Sequence, residues 1–303
     1  MSDDLQIVDA HQHFWDPAGD RYPWLSTRPL PSFRYGDYAA LRRRYVPDDF
    51  RRDTAGHRVV ATVHMEAEWD PADEVGETRW LAGLRQAHGL PTVAVAHARF
   101  ESPEVDAVLA GHAALDFVRG IRQKPAAAEA PAAGRRGAPG SMDDPAWRRG
   151  YARLERHGLH FDVQTPWWHL DAAADLARDF PRISIVINHT ALPADRSAAA
   201  LAAWRRALET AAARPNVAIK ISGLGRPDKS WPVEGNRQIV RDTIAIFGAA
   251  RCMFASNFPV DGLCIGYRAL FDAFKAFVAD RPEAERRALF HGNAARIYRI
   301  AGI

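Results

Sequence analysis

Short runs of β-branched and aliphatic residues recur along the chain at intervals of about 25 to 50 residues, at 7–10, 59–65, 92–96, 117–121, 159–163, 183–187, 217–221 and 252–255. Among them lie Ala-, Leu- and Arg-rich stretches at 73–88, 144–157, 196–214 and 236–247. Their apolar residues recur at helical spacing, and each is long enough for a helix that covers a sheet. Eight strands alternating with helices predict an α/β fold, a (β/α)8 barrel built as a single domain over residues 1–303. A doubly wound open sheet is the competing arrangement, but no Gly-x-Gly-x-x-Gly follows the first strand, so its dinucleotide-binding form lacks support. Two segments break the pattern. Residues 125–140 alternate Ala, Pro and Gly and predict a long loop after the fourth strand; residues 15–31, rich in Pro, Trp and Tyr, predict another after the first. In a barrel both fall on the C-terminal face. The 125–140 loop reads equally as a lid or an inert insertion, and the aromatics of 15–31 as packing across the mouth or as pocket wall.

Composition narrows the function classes. The chain has 303 residues, 47% hydrophobic and 25% charged, enough for a large buried core. No apolar run reaches the roughly 18 residues of a membrane span. The opening Met1-Ser2-Asp3-Asp4 lacks the basic segment of a secretory signal, so a cytoplasmic location is expected. The net charge of +3 comes from basic residues scattered among acids, without the stripe that binds nucleic acid, and Arg42-Arg43-Arg44 reads as a solvated helix face. Cys252 and Cys264 give no disulfide framework and read as small buried residues. A small-molecule substrate is the expected partner. A homodimer is an ordinary state for such an enzyme, though no segment marks an interface.

Chemistry enters with the first strand, which runs straight into His11-Gln12-His13. Side chains at i and i+2 of a strand share a face, so the two imidazoles are expected to converge, as a metal site or a polar substrate pocket. The plainer alternative has one His capping the strand and the other at the surface. Polar residues at the ends of barrel strands surround the reaction site. Here they are His11 and His13; His64, Glu66 and Glu68; Arg122 and Gln123; Gln164 to His169; Asn188 and His189; Lys220 and Ser222; and Ser256, Asn257 and Asp261. No Gly-x-Ser-x-Gly elbow and no Walker-type loop occurs. Three histidines, a carboxylate and the cations Arg122 and Lys220 suit hydrolysis of an ester or lactone carrying anionic or hydroxyl groups.

Seven motifs, read together, make the chain resemble the amidohydrolase superfamily, in particular the branch that contains sugar lactonases and 2-pyrone-4,6-dicarboxylate lactonase. They are Asp9-Ala10-His11-Gln12-His13-Phe14-Trp15, Tyr22-Pro23-Trp24-Leu25, Val118-Arg119-Gly120-Ile121-Arg122, Ile187-Asn188-His189-Thr190-Ala191-Leu192-Pro193, Lys220-Ile221-Ser222-Gly223-Leu224, Phe254-Ala255-Ser256-Asn257-Phe258-Pro259 and Gly292-Asn293-Ala294-Ala295-Arg296. The resemblance implies that His11, His13 and His189 hold a divalent metal such as zinc or contact substrate directly, with Arg122 and Lys220 binding the substrate. It implies no organic cofactor. The chain departs from relatives at Asn257, where they carry an Asp that serves as base or ligand, and at Gln164, where many carry a His ligand. An amide takes no proton from water near neutral pH. Three histidines with a water still suffice for zinc. Glu66 and Asp261 are then the expected bases, with Asp261 alternatively capping the next helix; His64 and Glu68 share the parity of Glu66 and are expected to point inward with it or to line a local network. The reading is a hydrolase that opens a sugar-acid or carboxylated lactone by water attack. Alternatives on the same fold are a lactone isomerase, a metal-dependent decarboxylase and a non-catalytic ligand-binding barrel.

Overall fold

The short apolar runs become strands because both their faces are buried. In β7 (Val217–Ile221), Ile219 and Ile221 pack outward with the helices, whereas Ala218 joins Val8, Ala10, Val63, Met65, Val95, Val186 and Met253 in a second apolar cluster inside the barrel. A computed structural model describes residues 5–134 and 136–303, so the opening Met1-Ser2-Asp3-Asp4 lies outside the described residues. The other strands are β1 (Gln6–Gln12), β2 (Arg58–Met65), β3 (Val93–His97), β4 (Val118–Gln123), β5 (His160–Val163), β6 (Ile185–Ile187) and β8 (Cys252–Phe254). They form one eight-stranded sheet in chain order, every ladder parallel, which is the (β/α)8 barrel expected. Helices Pro47–Asp53, Gly76–His88, Val105–Ala113, Pro145–Tyr151, Leu170–Asp179, Ala198–Ala212, Val233–Phe247 and Tyr267–Phe277 separate or follow the strands. Among the described residues no helix is long and apolar enough to cross a membrane.

The two irregular segments have different fates. The described residues of 125–140 form a loop with a short 3-10 turn, Pro131–Ala133, and pack sideways: Ala128 donates to His169 Nε2 at 2.9 Å and accepts from Trp168 Nε1 at 3.0 Å. The 15–31 segment instead lies over the mouth, its Trp15 paired with Tyr45 and Trp24 donating to the Ala67 carbonyl at 2.8 Å.

The barrel interior also holds buried polar side chains. Lys220 and Asp162 are fully buried there, with Nζ 2.8 Å from Oδ1. Asp162 also accepts from Asn188 Nδ2 at 2.8 Å and from the Tyr298 hydroxyl at 3.1 Å, and its Oδ2 lies 2.9 Å from His160 Nε2. Gly120 makes room for that imidazole, since a Cβ there would stand 2.5 Å from His160 Nε2. Burial brings Lys220 down to about 8 although Asp162 opposes it. Removing one partner of such a pair leaves an uncompensated charge in low dielectric. Lys220→Met is therefore expected to lose about 3–5 kcal/mol of unfolding free energy in chemical denaturation. Lys220→Met combined with Asp162→Asn should recover most of it; equal losses in both variants would refute the pairing.

Candidate active site

The ring of strands closes between β8 and β1 through the loop that follows β8. Asn257 N donates to the His11 carbonyl at 2.7 Å, His13 N donates to the Phe258 carbonyl at 2.8 Å, and Ser256 N donates to Asp9 Oδ1 at 2.9 Å. These bonds press Asn257 against the histidine pair. Asn257 turns the chain in the left-handed region, at φ 55°, which an Asn tolerates better than most residues.

The two imidazoles converge as the i, i+2 spacing predicts, with Nε2 atoms 3.2 Å apart. His13 Nδ1 donates to the Met65 carbonyl at 2.8 Å, so its Nε2 carries a lone pair in the neutral ring. That lone pair faces Asn257 Oδ1 at 3.2 Å. The amide cannot flip to offer an N–H instead, because its Nδ2 donates to the Asp261 carboxylate at 2.7 Å. His11, whose Nδ1 has no partner, can donate from Nε2 to that lone pair, and in its other tautomer the three acceptors can surround a cation. Burial, with the charges of Arg122 and His64, holds His13 well below its ordinary value, so a proton is disfavoured. A divalent metal fits: ligands of a tetrahedral zinc with bonds of about 2.0–2.1 Å stand about 3.3 Å apart. His11 Nε2, His13 Nε2 and Asn257 Oδ1 are the fitting donors.

The trio expected to hold the metal is not gathered. Among the described residues no group of three His, Cys, Asp or Glu side chains is disposed to hold an ion. The His189 ring lies 4.6 Å from that of His11, tilted by 42°, and its Nδ1 is 2.9 Å from Ser222 Oγ. His189 opens a turn in which four successive residues, His189, Thr190, Ala191 and Leu192, have φ between 51° and 57°. Trp204 Nε1 holds the turn through the Thr190 carbonyl at 2.8 Å. Gly223 lies directly against the imidazole, where a Cβ would meet the ring at 2.8 Å.

His13, His189, Asn257, Gln164 and Arg122 line one cavity of about 270 Å³ at the barrel mouth, walled by Trp15, Trp24, Phe33 and Tyr38. Arg122 is braced: Nε donates to Glu66 Oε1 and Nη2 to the Glu66 carbonyl, both at 2.6 Å, and Nη1 to Gln164 Oε1 at 3.1 Å. Gln164 thus positions a cation rather than replacing a metal ligand. The expected bases are both committed elsewhere. Burial raises Glu66, but Arg122, His97 and Lys124 bring it down to about 2. Asp261 is fully buried and accepts from Asn257, from the Tyr35 hydroxyl at 2.9 Å and from Gly223 N at 3.0 Å. Neither lines the mouth cavity. Lys220 lies inside the barrel on Asp162 and does not reach the cavity either. His64, Glu66 and Glu68 part company, to Glu77, Arg122 and Lys124 respectively. Arg34, Lys124 and Tyr35 are not marked by the sequence, whereas Ser222 is, by its place at the end of the seventh strand.

The amidohydrolase family model matches residues 8–300. The chain belongs to the amidohydrolase family. It is 41% identical to an uncharacterized protein, y4mH, of Sinorhizobium fredii, over 98% of this chain and 99% of that one. It is 31% identical to an L-fucono-1,5-lactonase of Burkholderia ambifaria, over 97% and 95%. A solved amidohydrolase of Burkholderia multivorans with bound zinc superposes with a TM-score of 0.78 at 27% identity, covering 97% of this chain and 99% of that one.

The Asn257 amide and the Asp261 carboxylate are locked as donor and acceptor. Asn257→Asp would set two buried carboxylates against each other at hydrogen-bond distance, where one must take up a proton. The expected loss is at least about 1.5–3 kcal/mol, the worth of a charge-assisted hydrogen bond. The exchanged pair, Asn257→Asp with Asp261→Asn, restores a donor and an acceptor and should regain most of the midpoint in a urea titration. A single variant as stable as the parent would show that the lock carries no weight.

Proposed function

We propose that this amidohydrolase opens the lactone of a sugar acid, or a related carboxylated lactone, by attack of water on the ring carbonyl. The observation that carries the reading is the braced Arg122 guanidinium in the same small cavity as His13, His189 and Asn257. The named L-fucono-1,5-lactonase relative supports a lactone as the substrate class.

Three of the five N–H groups of Arg122 are taken by Glu66 and Gln164, which leaves two to hold the oxygens of the lactone. Because the guanidinium is already fixed, no reorganisation is needed as charge grows on the carbonyl oxygen. His189 is the proton acceptor in this reading. Burial, then Arg34 and Arg122, keep its ring neutral, and Ser222 occupies Nδ1, leaving Nε2 for the attacking water. The proton taken there passes to the ring oxygen as the acyl C–O bond breaks, giving a hydroxyl and a carboxylic acid, which releases its remaining proton to solvent and becomes a carboxylate. Asp261 and Glu66 act by orienting Asn257 and Arg122. His11, His13 and the Asn257 oxygen would hold a divalent metal, which when bound lowers the pKa of water and polarises a carbonyl.

The test is hydrolysis of paired sugar-acid 1,4- and 1,5-lactones and a pyrone dicarboxylate, followed by proton release with and without a chelator, and by NMR for ring interconversion. Turnover is expected, chelator-sensitive and restored by zinc. His189→Ala should reduce it about tenfold to a hundredfold or more. Ring interconversion without opening would replace hydrolysis with isomerisation, and no change to any lactone would sink the reading.

A further inference from the structure

Three cationic side chains besides the histidines line the mouth cavity: Arg34, Arg122 and Lys124. Two of them are matched. Arg122 has Glu66 at 2.6 Å, and Lys124 is in contact with Glu68. Arg34 is different. Its one carboxylate within 4 Å, among the described residues, is Asp261, with Nη2 3.6 Å from Oδ1. That oxygen already accepts from Asn257 and Tyr35, and the other from Gly223. The Arg34 Nη1 atom is buried and has no hydrogen-bond partner. The guanidinium is nevertheless held in place, stacked 4.6 Å above the Tyr35 ring.

An immobilised guanidinium with a buried, unpaired N–H edge is an incomplete site. A hydroxyl would satisfy the hydrogen but not the charge, whereas a carboxylate supplies both and matches the planar fork. Resting on the lactonase reading, we infer that Arg34 holds a second carboxylate of the substrate. The lactone is then the monolactone of a dicarboxylic sugar acid, and not a neutral sugar lactone. The division of labour follows from position. Arg122, at the end of β4, takes the carbonyl that becomes a carboxylate on ring opening, and Arg34, from the loop after β1, takes the carboxylate already present.

The test pairs lactones that differ only in the terminal group: glucaric against gluconic 1,4-lactone, and galactaric against galactonic. The parent enzyme is expected to favour the carboxylated member by about tenfold or more in kcat/KM. Arg34→Gln should raise its KM about tenfold to a hundredfold, with the KM of the neutral lactone changed less than about threefold. Arg34→Lys, which keeps the charge and loses the fork, should fall between. Binding of the open-chain acids by calorimetry separates this inference from the reaction it rests on. Glucarate should bind about tenfold tighter than gluconate, and Arg34→Gln should abolish that difference. If no lactone opens but the glucarate preference stands and depends on Arg34, the lactonase reading fails and the anion site survives. If neutral lactones are opened as well as charged ones, or Arg34→Gln affects both alike, or the two acids bind equally or not at all, Arg34 is no anion site.

Discussion

The site exists because the barrel closes at the β8–β1 seam through a carboxylate. β8 ends at Phe254, and the chain beyond it reaches β1 by single backbone bonds to His11 and His13, with Asp9 accepting from Ser256. Asp9 is fully buried. Burial pushes it up to about 6 against the opposing bonds from Ser256, His11 and Tyr267. A regular ladder there would hold β8 and β1 along their length and leave Asn257 no left-handed turn toward His13. The irregular seam, tied down by a side chain, is what sets the amide beside the imidazoles.

The same device recurs through the molecule. Asp162 fixes Lys220 and Asn188 inside the barrel, Asp261 fixes the Asn257 amide, and Glu66 fixes the Arg122 guanidinium. Each is a buried acid whose oxygens are filled by donors, and each orients a group that would otherwise have several rotamers. Arg122, His97 and Lys124 hold Glu66 ionised, at about 2, whereas burial raises Asp261, whose oxygens are taken by Asn257, Tyr35 and Gly223 away from the mouth cavity. In the proposed reaction proton transfer falls instead to His189, whose ring burial keeps neutral and which lines that cavity.

Much of the architecture was legible because burial on two faces forces runs of Val, Ile and Ala wherever a barrel strand passes. The helix Val105–Ala113 was less so, since its apolar residues are spread round the helix and leave little contrast between faces. At the site, alternation along a strand says which way a side chain points but not how deep it lies. Lys220 does face the lumen, yet it lies with Asp162 instead of at the mouth. Glu66 and Asp261 were expected as bases, with a helix cap as the alternative for Asp261, because their partners, Arg122 and Asn257, are brought to them only by the closed ring. His64, Glu66 and Glu68 were expected to point inward together or to line a local network, but β2 ends at Met65 and the chain turns at Glu68, φ 59°, so the alternation that holds for His64 does not extend to Glu66 and Glu68. Arg34 lies in a loop whose course no periodicity encodes.

The turn at residues 189–192 has four consecutive residues with side chains in the left-handed region, a conformation each would leave if released. It persists because Trp204 and the Gly223 backbone enclose it. The neighbourhood of His189 is therefore a place where fold stability and site geometry pull in opposite directions. Evolution toward greater heat resistance, with no demand for turnover, would be drawn to glycine or asparagine at 190 and 191. Selection for activity would act on the seat the turn gives His189 and tolerate a less durable protein.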